Sequence, residues 1–347
     1  MSEKNTIYIV DVTNRDGVQT SRLGLAQRQP TTINLRLDDL GGTQSEVGFP
    51  TTKHEINYIN ANLELVDRGM ISKTKLSGWI RCLASDVVQA FQNVARLKYV
   101  NLSASTSDQM INGKFGGKKN REDIIIQTIE AVDAAKTCGA QIIGVNAEDA
   151  SRTELDFLIR HAQEAKKHGA KRYRYCDTLG YDDPQTAYDR IYILAKETGM
   201  DIELHFHNDL GLAVANSVMG AKAAIDAGVD AYINTAINGM GERAGNADLV
   251  SCVLAIMKSS GFKERYFLDP QIDLSKAWKL AKYTAYAFGV PIPINQPAVG
   301  DNAFAHESGI HADGALKDRR NYVLYDFEEL GRGEPVLVET VRMFTVG

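Results

Sequence analysis

Short β-branched or apolar runs alternate eight times with longer amphipathic segments along this chain. That alternation constrains the fold more than any other feature. The runs are "IYIVDV", "TQSEVGF", "KLSGWI", "YVNLSAST", "QIIGVNAED", "RYRYCDT", "DIELHFHN" and "DAYINTAIN". Between them lie stretches such as "REDIIIQTIEAVDAAKTCG" and "TELDFLIRHAQEAKKHG", each closing on the glycine favoured just past a helix end. Strict βα alternation predicts a parallel sheet, since parallel neighbours need a crossover between them. Eight such units in about 250 residues predict an α/β fold of the (β/α)8, or TIM, barrel type. An open doubly wound sheet is the competing arrangement. The first strand here runs into "DVTNRDGVQ", with one glycine and no glycine-rich phosphate loop, which favours the barrel.

The barrel is expected over residues 1–260, followed at 261–347 by a small, mostly helical lid and dimerisation region. That tail holds a helical pattern, "LSKAWKLAKYTAYAFG", a proline-rich elbow, "VPIPINQP", and a short "YDFEELG" segment. It also holds "NAFAHESGIHADGALKDRRNY", which shows no helical or strand period despite its two histidines. The net charge of −5 argues against a nucleic-acid or anionic-membrane surface. No apolar run approaches the ~20 residues of a membrane span. Cys82, Cys138, Cys176 and Cys252 are widely spaced, as free thiols in a reducing compartment would be. "MSEKNTIYIVD" enters a strand at once, without the pattern of a secretory signal. A cytoplasmic protein is expected.

Polar residues gather at the C-terminal ends of the predicted strands: Arg15, Asp16, Glu46, Ser105, Glu148, Asp177, His207 and Asn238. In a barrel those ends converge on one face, where active sites sit. His205 and His207 are two apart in a strand, so their rings share a face. Two such imidazoles with Asp16 would suit a divalent metal with open positions; the other reading is a pair of hydrogen-bonded core histidines. Arg15 beside Asp16 could stabilise a developing enolate or alkoxide, or could simply lie on the surface next to a helix cap. The loop "NGMGERAGN" reads as either a phosphate loop or a tight turn, and delivers Glu242 and Asn246 to the same face. "NAEDASRT" places Glu148 and Arg152 after the fifth strand, where Arg152 could clamp a carboxylate or form a solvated salt bridge.

Seven motifs, "DVTNRDGVQ", "SEVGFP", "EDASRT", "CDTLGY", "ELHFHNDLGLAVANS", "NGMGERAGN" and "FAHESGIHADGALK", occur in the order of one family. The chain resembles the acyl-CoA-condensing, metal-dependent aldolase-type barrels. These are the homocitrate, 2-isopropylmalate and citramalate synthases, with hydroxymethylglutaryl-CoA lyase as a relative. "HESGIHADGALKD" is similar to the homocitrate synthase branch, and the surrounding text to its Re-face-specific citrate synthase offshoots. The resemblance implies a homodimer that condenses acetyl-CoA with a 2-oxo acid and then hydrolyses the thioester. Oxaloacetate giving citrate is the expected reaction, with 2-oxoglutarate giving homocitrate as the alternative and a carbon–carbon lyase as a more distant one.

Residue by residue, the resemblance implies that Asp16, His205 and His207 bind the metal, expected as Mn2+ with Mg2+, Co2+ or Zn2+ also accommodated. Asn246 is a further ligand or a group behind them. Arg15 stabilises the enolate or alkoxide oxygen with Gln19 nearby, and Glu46, Arg152 and Thr178 line the oxo-acid pocket. His311 and Tyr322 serve the acetyl-CoA end, reaching the partner's barrel from a tail that crosses over, while Glu148 and Glu242 support proton transfers. His306 is expected to support the turn. Departures from the family pattern are Val12, Asn14 and Val18 in the first motif and Asn101 where many relatives carry histidine. They touch the identity of the oxo acid and leave the metal set intact.

Overall fold

The computed structural model of this chain describes residues 5–21, 23 and 28–333; the last part of the expected tail, 334–347, lies outside them. All eight expected strands form: β1 (Thr6–Asp11), β2 (Gln44–Gly48), β3 (Lys75–Arg81), β4 (Tyr99–Ser105), β5 (Ile142–Glu148), β6 (Arg172–Asp177), β7 (Asp201–Phe206) and β8 (Ala231–Thr235). Each pairs in parallel with its chain neighbour. β1 joins β8 on one side and β2 on the other, which closes the sheet into a (β/α)8 barrel. No helix among the described residues is long and apolar enough to cross a membrane.

Local chemistry sets the helix ends. The Asn120 side chain accepts from the backbone N–H groups of Glu122 and Asp123, and Asp123 returns a bond to the Asn120 N–H, starting the helix Arg121–Thr137. Asp183 caps Pro184–Thr198 in the same sense, with proline in the first turn, where its missing N–H costs nothing.

Alternation along each strand divides the side chains between two environments. β6 sends Tyr173 toward the helix layer, where its hydroxyl meets the buried His161 ring at 2.8 Å, and turns Arg172 and Arg174 inward. The barrel interior is therefore polar. Arg172 donates to Gln44 at 2.6 Å, Arg174 donates to Glu46 and Glu203, and Asn234 donates to Glu203 at 2.8 Å. Charges so deeply buried are tolerated because opposite charges meet there: Arg174 is hydrogen-bonded to Glu46 and Glu203, and Arg172 Nη1 lies 3.9 Å from Glu203.

Four features differ from the sequence reading. A two-residue strand, β9 (Phe267–Leu268), pairs with Thr6 and Ile7 of β1, below the point where β2 joins. The Asp269 N–H donates to Ile7 and its carboxylate accepts from Thr43 Oγ1, so this segment closes the lower β1–β2 seam. Two residues of strand are too short to register as a period. A helix, Asp108–Phe115, occupies the loop after β4.

The histidine-bearing stretch without period contains a helix, Gly309–Lys317. Only Ala312 on it is buried, so no apolar stripe marks it in the sequence. Gly314 makes room for the Tyr322 ring, whose Cε2 would lie 2.4 Å from a Cβ there.

Lastly, two of the residues expected to converge turn elsewhere. Asp177 spends both carboxylate oxygens on the N–H groups of Tyr181 and Asp182, stapling the turn after β6. Asn238 sits at φ +58° and donates to the Ala281 carbonyl, because the turn must leave β8 toward the helix Ala277–Phe288.

Candidate active site

A cavity of about 250 Å3 opens at the C-terminal ends of the strands. The turn after β1 is wound tightly around one carbonyl: Val12 accepts from the N–H groups of Arg15, Asp16 and Gly17. That winding holds Arg15 and Asp16 side by side at the cavity wall. Across from them stand His205 and His207, with ring centroids 5.0 Å apart. His205 Nε2 lies 3.5 Å from Asp16 Oδ2, and one ligand atom from each of Asp16, His205 and His207 fits within a mutual 4.8 Å.

The donor set fits a divalent cation. Both imidazole Nδ1 atoms and Asn246 Oδ1 are buried without a partner, a costly arrangement for a finished structural network. Nitrogen and carboxylate donors of this kind suit Mn2+, Mg2+, Co2+ or Zn2+. Burial alone would raise the Asp16 carboxyl. The adjacent Arg15, His205 and His207 outweigh it and hold that carboxyl well below its ordinary range, so it is ionised. Burial, reinforced by His205, pushes His207 down to about 4 and leaves it neutral, the form that can ligate.

Asn246 is anchored by Nδ2, which donates to Asp16 Oδ1 at 3.0 Å and to the Met240 carbonyl at 2.9 Å. The glycines of this loop serve that packing. A Cβ on Gly241 would lie 2.1 Å from Asn246 Nδ2, and one on Gly245 would lie 1.9 Å from the Gly239 carbonyl oxygen. Of the two sequence readings, a tight turn accounts for the glycines.

The remaining expected residues divide into three groups. Gln19, Glu148, Thr178 and Glu242 line the cavity. Glu46 lies beneath it, fully buried, accepting from Arg15 Nε at 2.6 Å, Arg174 Nη2 at 2.6 Å and Asn101 at 2.8 Å. Its carboxyl, raised by burial, is pulled below the ordinary range by Arg15 and Arg174. Arg152 forms a two-pronged ion pair with buried Asp149 and is not part of the lining. The His311 and Tyr322 rings lie tilted against each other with centroids 4.5 Å apart, exposed on the tail, and do not line this cavity either.

Sequence reasoning missed Trp79, Ser103, Asn146, Arg174 and Cys176, all of which line the cavity. Arg174 had a signal: in "RYRYCD" a charge alternates with aromatics inside a strand covered on both faces. Cys176 is chemically quiet, because burial pushes its thiol up to about 12. Lys114, from the helix after β4, donates to both oxygens of Glu148 at 2.7 and 2.8 Å, and Ser105 donates to the same carboxylate.

Residues 6–283 match the family model described as HMGL-like, and residues 298–341 match the one described as homocitrate synthase post-HMGL domain-like. The chain is 59% identical over 341 residues to the citrate (Re)-synthase of Dehalococcoides mccartyi, covering 98% of this chain and 82% of that protein. It is 39% identical over 332 residues to 2-isopropylmalate synthase 2 of Caldanaerobacter subterraneus, covering 96% and 81%. Among solved structures, the HMG-CoA lyase of Bacillus subtilis has the same fold: TM-score 0.67, 17% identity, 84% of this chain and 96% of that one.

Proposed function

This chain belongs to the HMGL-like family, among its homocitrate and 2-isopropylmalate synthases, and from that premise we propose that it condenses acetyl-CoA with oxaloacetate to give citrate. It is an acyltransferase of the class that converts the acyl group to alkyl on transfer. The observation that carries the choice of oxo acid is the 59% identity, over 98% of the chain, to a citrate (Re)-synthase.

In this reading Asp16, His205 and His207 hold a divalent metal, Mn2+ by preference, with Asn246 as a further ligand or the group that fixes Asp16. Bound there, the metal would supply the Lewis acidity that makes the keto carbon of the oxo acid electrophilic. His311 removes a proton from the acetyl methyl group, the resulting enolate carbon bonds to the keto carbon, and the keto oxygen becomes an alkoxide. Arg15, beside Gln19, stabilises the negative oxygen, and Thr178 positions the oxo acid. Arg152 would join them only by leaving Asp149. The proton held by His311 is then passed to the alkoxide, with Glu148 and Glu242 supporting the transfer. Water then attacks the thioester carbonyl, the carbon–sulfur bond breaks, and coenzyme A leaves as the thiol.

His311 works in trans in this reading. Ile310, Leu316 and Leu324 on the same tail stand about three-quarters exposed, an apolar surface that a second copy would cover. A homodimer in which this region, 261–347, crosses to the partner's barrel mouth would bring His311 and Tyr322 to the acetyl-CoA end. It would also shelter the enolate from solvent. The four free cysteines agree with work in the cytoplasm.

Steady-state assays with acetyl-CoA and each oxo acid, following thiol release, test the reading. A higher kcat/KM for oxaloacetate than for 2-oxoglutarate supports it. The reverse would establish the homocitrate alternative, which the match of the tail to a homocitrate synthase model favours. Cleavage of hydroxymethylglutaryl-CoA without any condensation would make the chain a lyase.

A further inference from the structure

Asn146 is the least explained side chain in the cavity. It lines the wall, is 1% exposed, and neither its Oδ1 nor its Nδ2 has a hydrogen-bond partner. A buried amide left unpaired is costly, and folded proteins rarely retain one without a ligand or water to meet it. Strand register adds to this. Ser103 on β4 pairs with Asn146 on β5, which pairs with Arg174 on β6, so three polar side chains from adjacent strands form one tier, and all three line the cavity.

The tier lies below the cation cluster. Cys176 pairs with His205, and Arg174 is two residues earlier on β6, about 6.5 Å toward the barrel floor. Arg174 commits Nε and Nη2 to Glu203 and Glu46, while Nη1 makes one long bond to Glu46 at 3.4 Å. Its charge is balanced, yet Nη1 keeps a donor to spare. Beneath Asn146 the next inward position is Gly144, and a Cβ there would lie 2.0 Å from Asn101 Oδ1. The Asn101 side chain therefore occupies the space under the tier and closes its floor. Above it, the Glu148 carboxylate is neutralised by Lys114.

We propose that Ser103, Asn146 and Arg174 form the subsite that reads the distal carboxylate of a short dicarboxylic 2-oxo acid, and that Asn101 sets the chain length at four carbons. This rests on the condensing function proposed above. An amide N–H, a hydroxyl and a guanidinium N–H all donate to a carboxylate. The keto end sits at Asp16, His205 and His207, and the distal end reaches one tier down. A fifth carbon meets Asn101.

The test measures dissociation constants, by calorimetry on the Mn2+-loaded protein, for oxaloacetate and for its distal amide, which matches it in size without the distal charge. In the parent the dicarboxylate binds more tightly. Asn146→Asp, nearly isosteric, sets a like charge against the carboxylate. It should weaken oxaloacetate roughly 10- to 100-fold, the scale of a hydrogen bond to a charged group, and leave the amide within threefold. Ser103→Ala, at a half-buried residue, should shift the same ratio in the same direction and serves if the first variant does not fold. Equal effects on both ligands, or none on either, would overturn the proposal. A parent that binds 2-oxoglutarate more tightly than oxaloacetate overturns the four-carbon limit and the oxaloacetate reading. The same comparison with 2-oxoglutarate and its distal amide then decides the carboxylate subsite by itself.

Discussion

Asn246 Nδ2 donates to Asp16 Oδ1 at 3.0 Å, joining two residues 230 positions apart in the chain. The bond orients a carboxylate whose other oxygen lies 3.5 Å from His205 Nε2. Groups that orient a ligand in this way typically contribute 10- to 100-fold to metal affinity. Asn246→Ala should therefore weaken Mn2+ binding by about that factor, measured by competition with a chelator, while the fold persists. Unchanged affinity would mean that Asn246 merely fills the loop.

Gly241 makes the same point from the backbone. It sits at φ +152°, and a Cβ would lie 2.1 Å from Asn246 Nδ2. Gly241→Ala should lower stability by about 1–3 kcal/mol through strain and should displace Asn246. Denaturant unfolding reads the first effect, and reduced metal affinity in the folded fraction reads the second.

Arg15 bridges two carboxylates, donating from Nη1 to Asp16 and from Nε to Glu46, both at 2.6 Å. A lysine has one nitrogen and cannot span both. Arg15→Lys is expected to cut kcat by roughly 10²–10³ if the guanidinium faces the developing oxyanion. The KM for acetyl-CoA should barely move. A variant that loses only substrate affinity would assign Arg15 to binding alone.

The position of His311 on an exposed tail helix leads to a complementation experiment. Mixed dimers of His311→Ala with His207→Ala chains contain one barrel with intact ligands facing one intact tail. If His311 acts in trans, such heterodimers recover activity that neither homodimer has. No recovery in verified heterodimers would return His311 to its own chain.

Stability should also carry the signature of Asp11, a buried carboxyl at the end of β1 whose two oxygens accept from the Thr13 N–H and Oγ1. Burial raises it from 3.8 to about 7, with the Thr13 bonds only partly opposing the rise. The folded state thus holds this proton more tightly than the unfolded chain does. The associated stabilisation is complete below pH 4 and is lost as pH rises through 7, by up to about 4 kcal/mol. Asp11→Asn removes the titration, so the stability of the variant relative to its parent should rise between pH 4 and 7.5. Parallel unfolding curves across that range would show that Asp11 ionises freely in the fold.

The barrel was readable because βα alternation and helix-closing glycines are local, periodic signals. His205 and His207 could be paired with Asp16 from strand alternation and barrel closure alone. Arg152 was ambiguous for a physical reason: its partner Asp149 lies in the same motif, and spacing cannot tell an internal ion pair from a substrate clamp. The helix carrying His311 escaped notice because just one of its residues is buried, and an unburied helix leaves no hydrophobic period.

Chain order and residue type by themselves determined the eight βα units and the three side chains that could hold a cation. Only the tertiary structure decided which polar groups meet. Closing the barrel set β2, β6 and β7 around one interior and fastened Arg174 between Glu46 and Glu203. The same closure brought Ser103, Asn146 and Arg174 to one level and left the Asn146 amide without a partner. Those contacts depend on register between strands, a quantity set by pairing across the whole ring, and no window of sequence contains it.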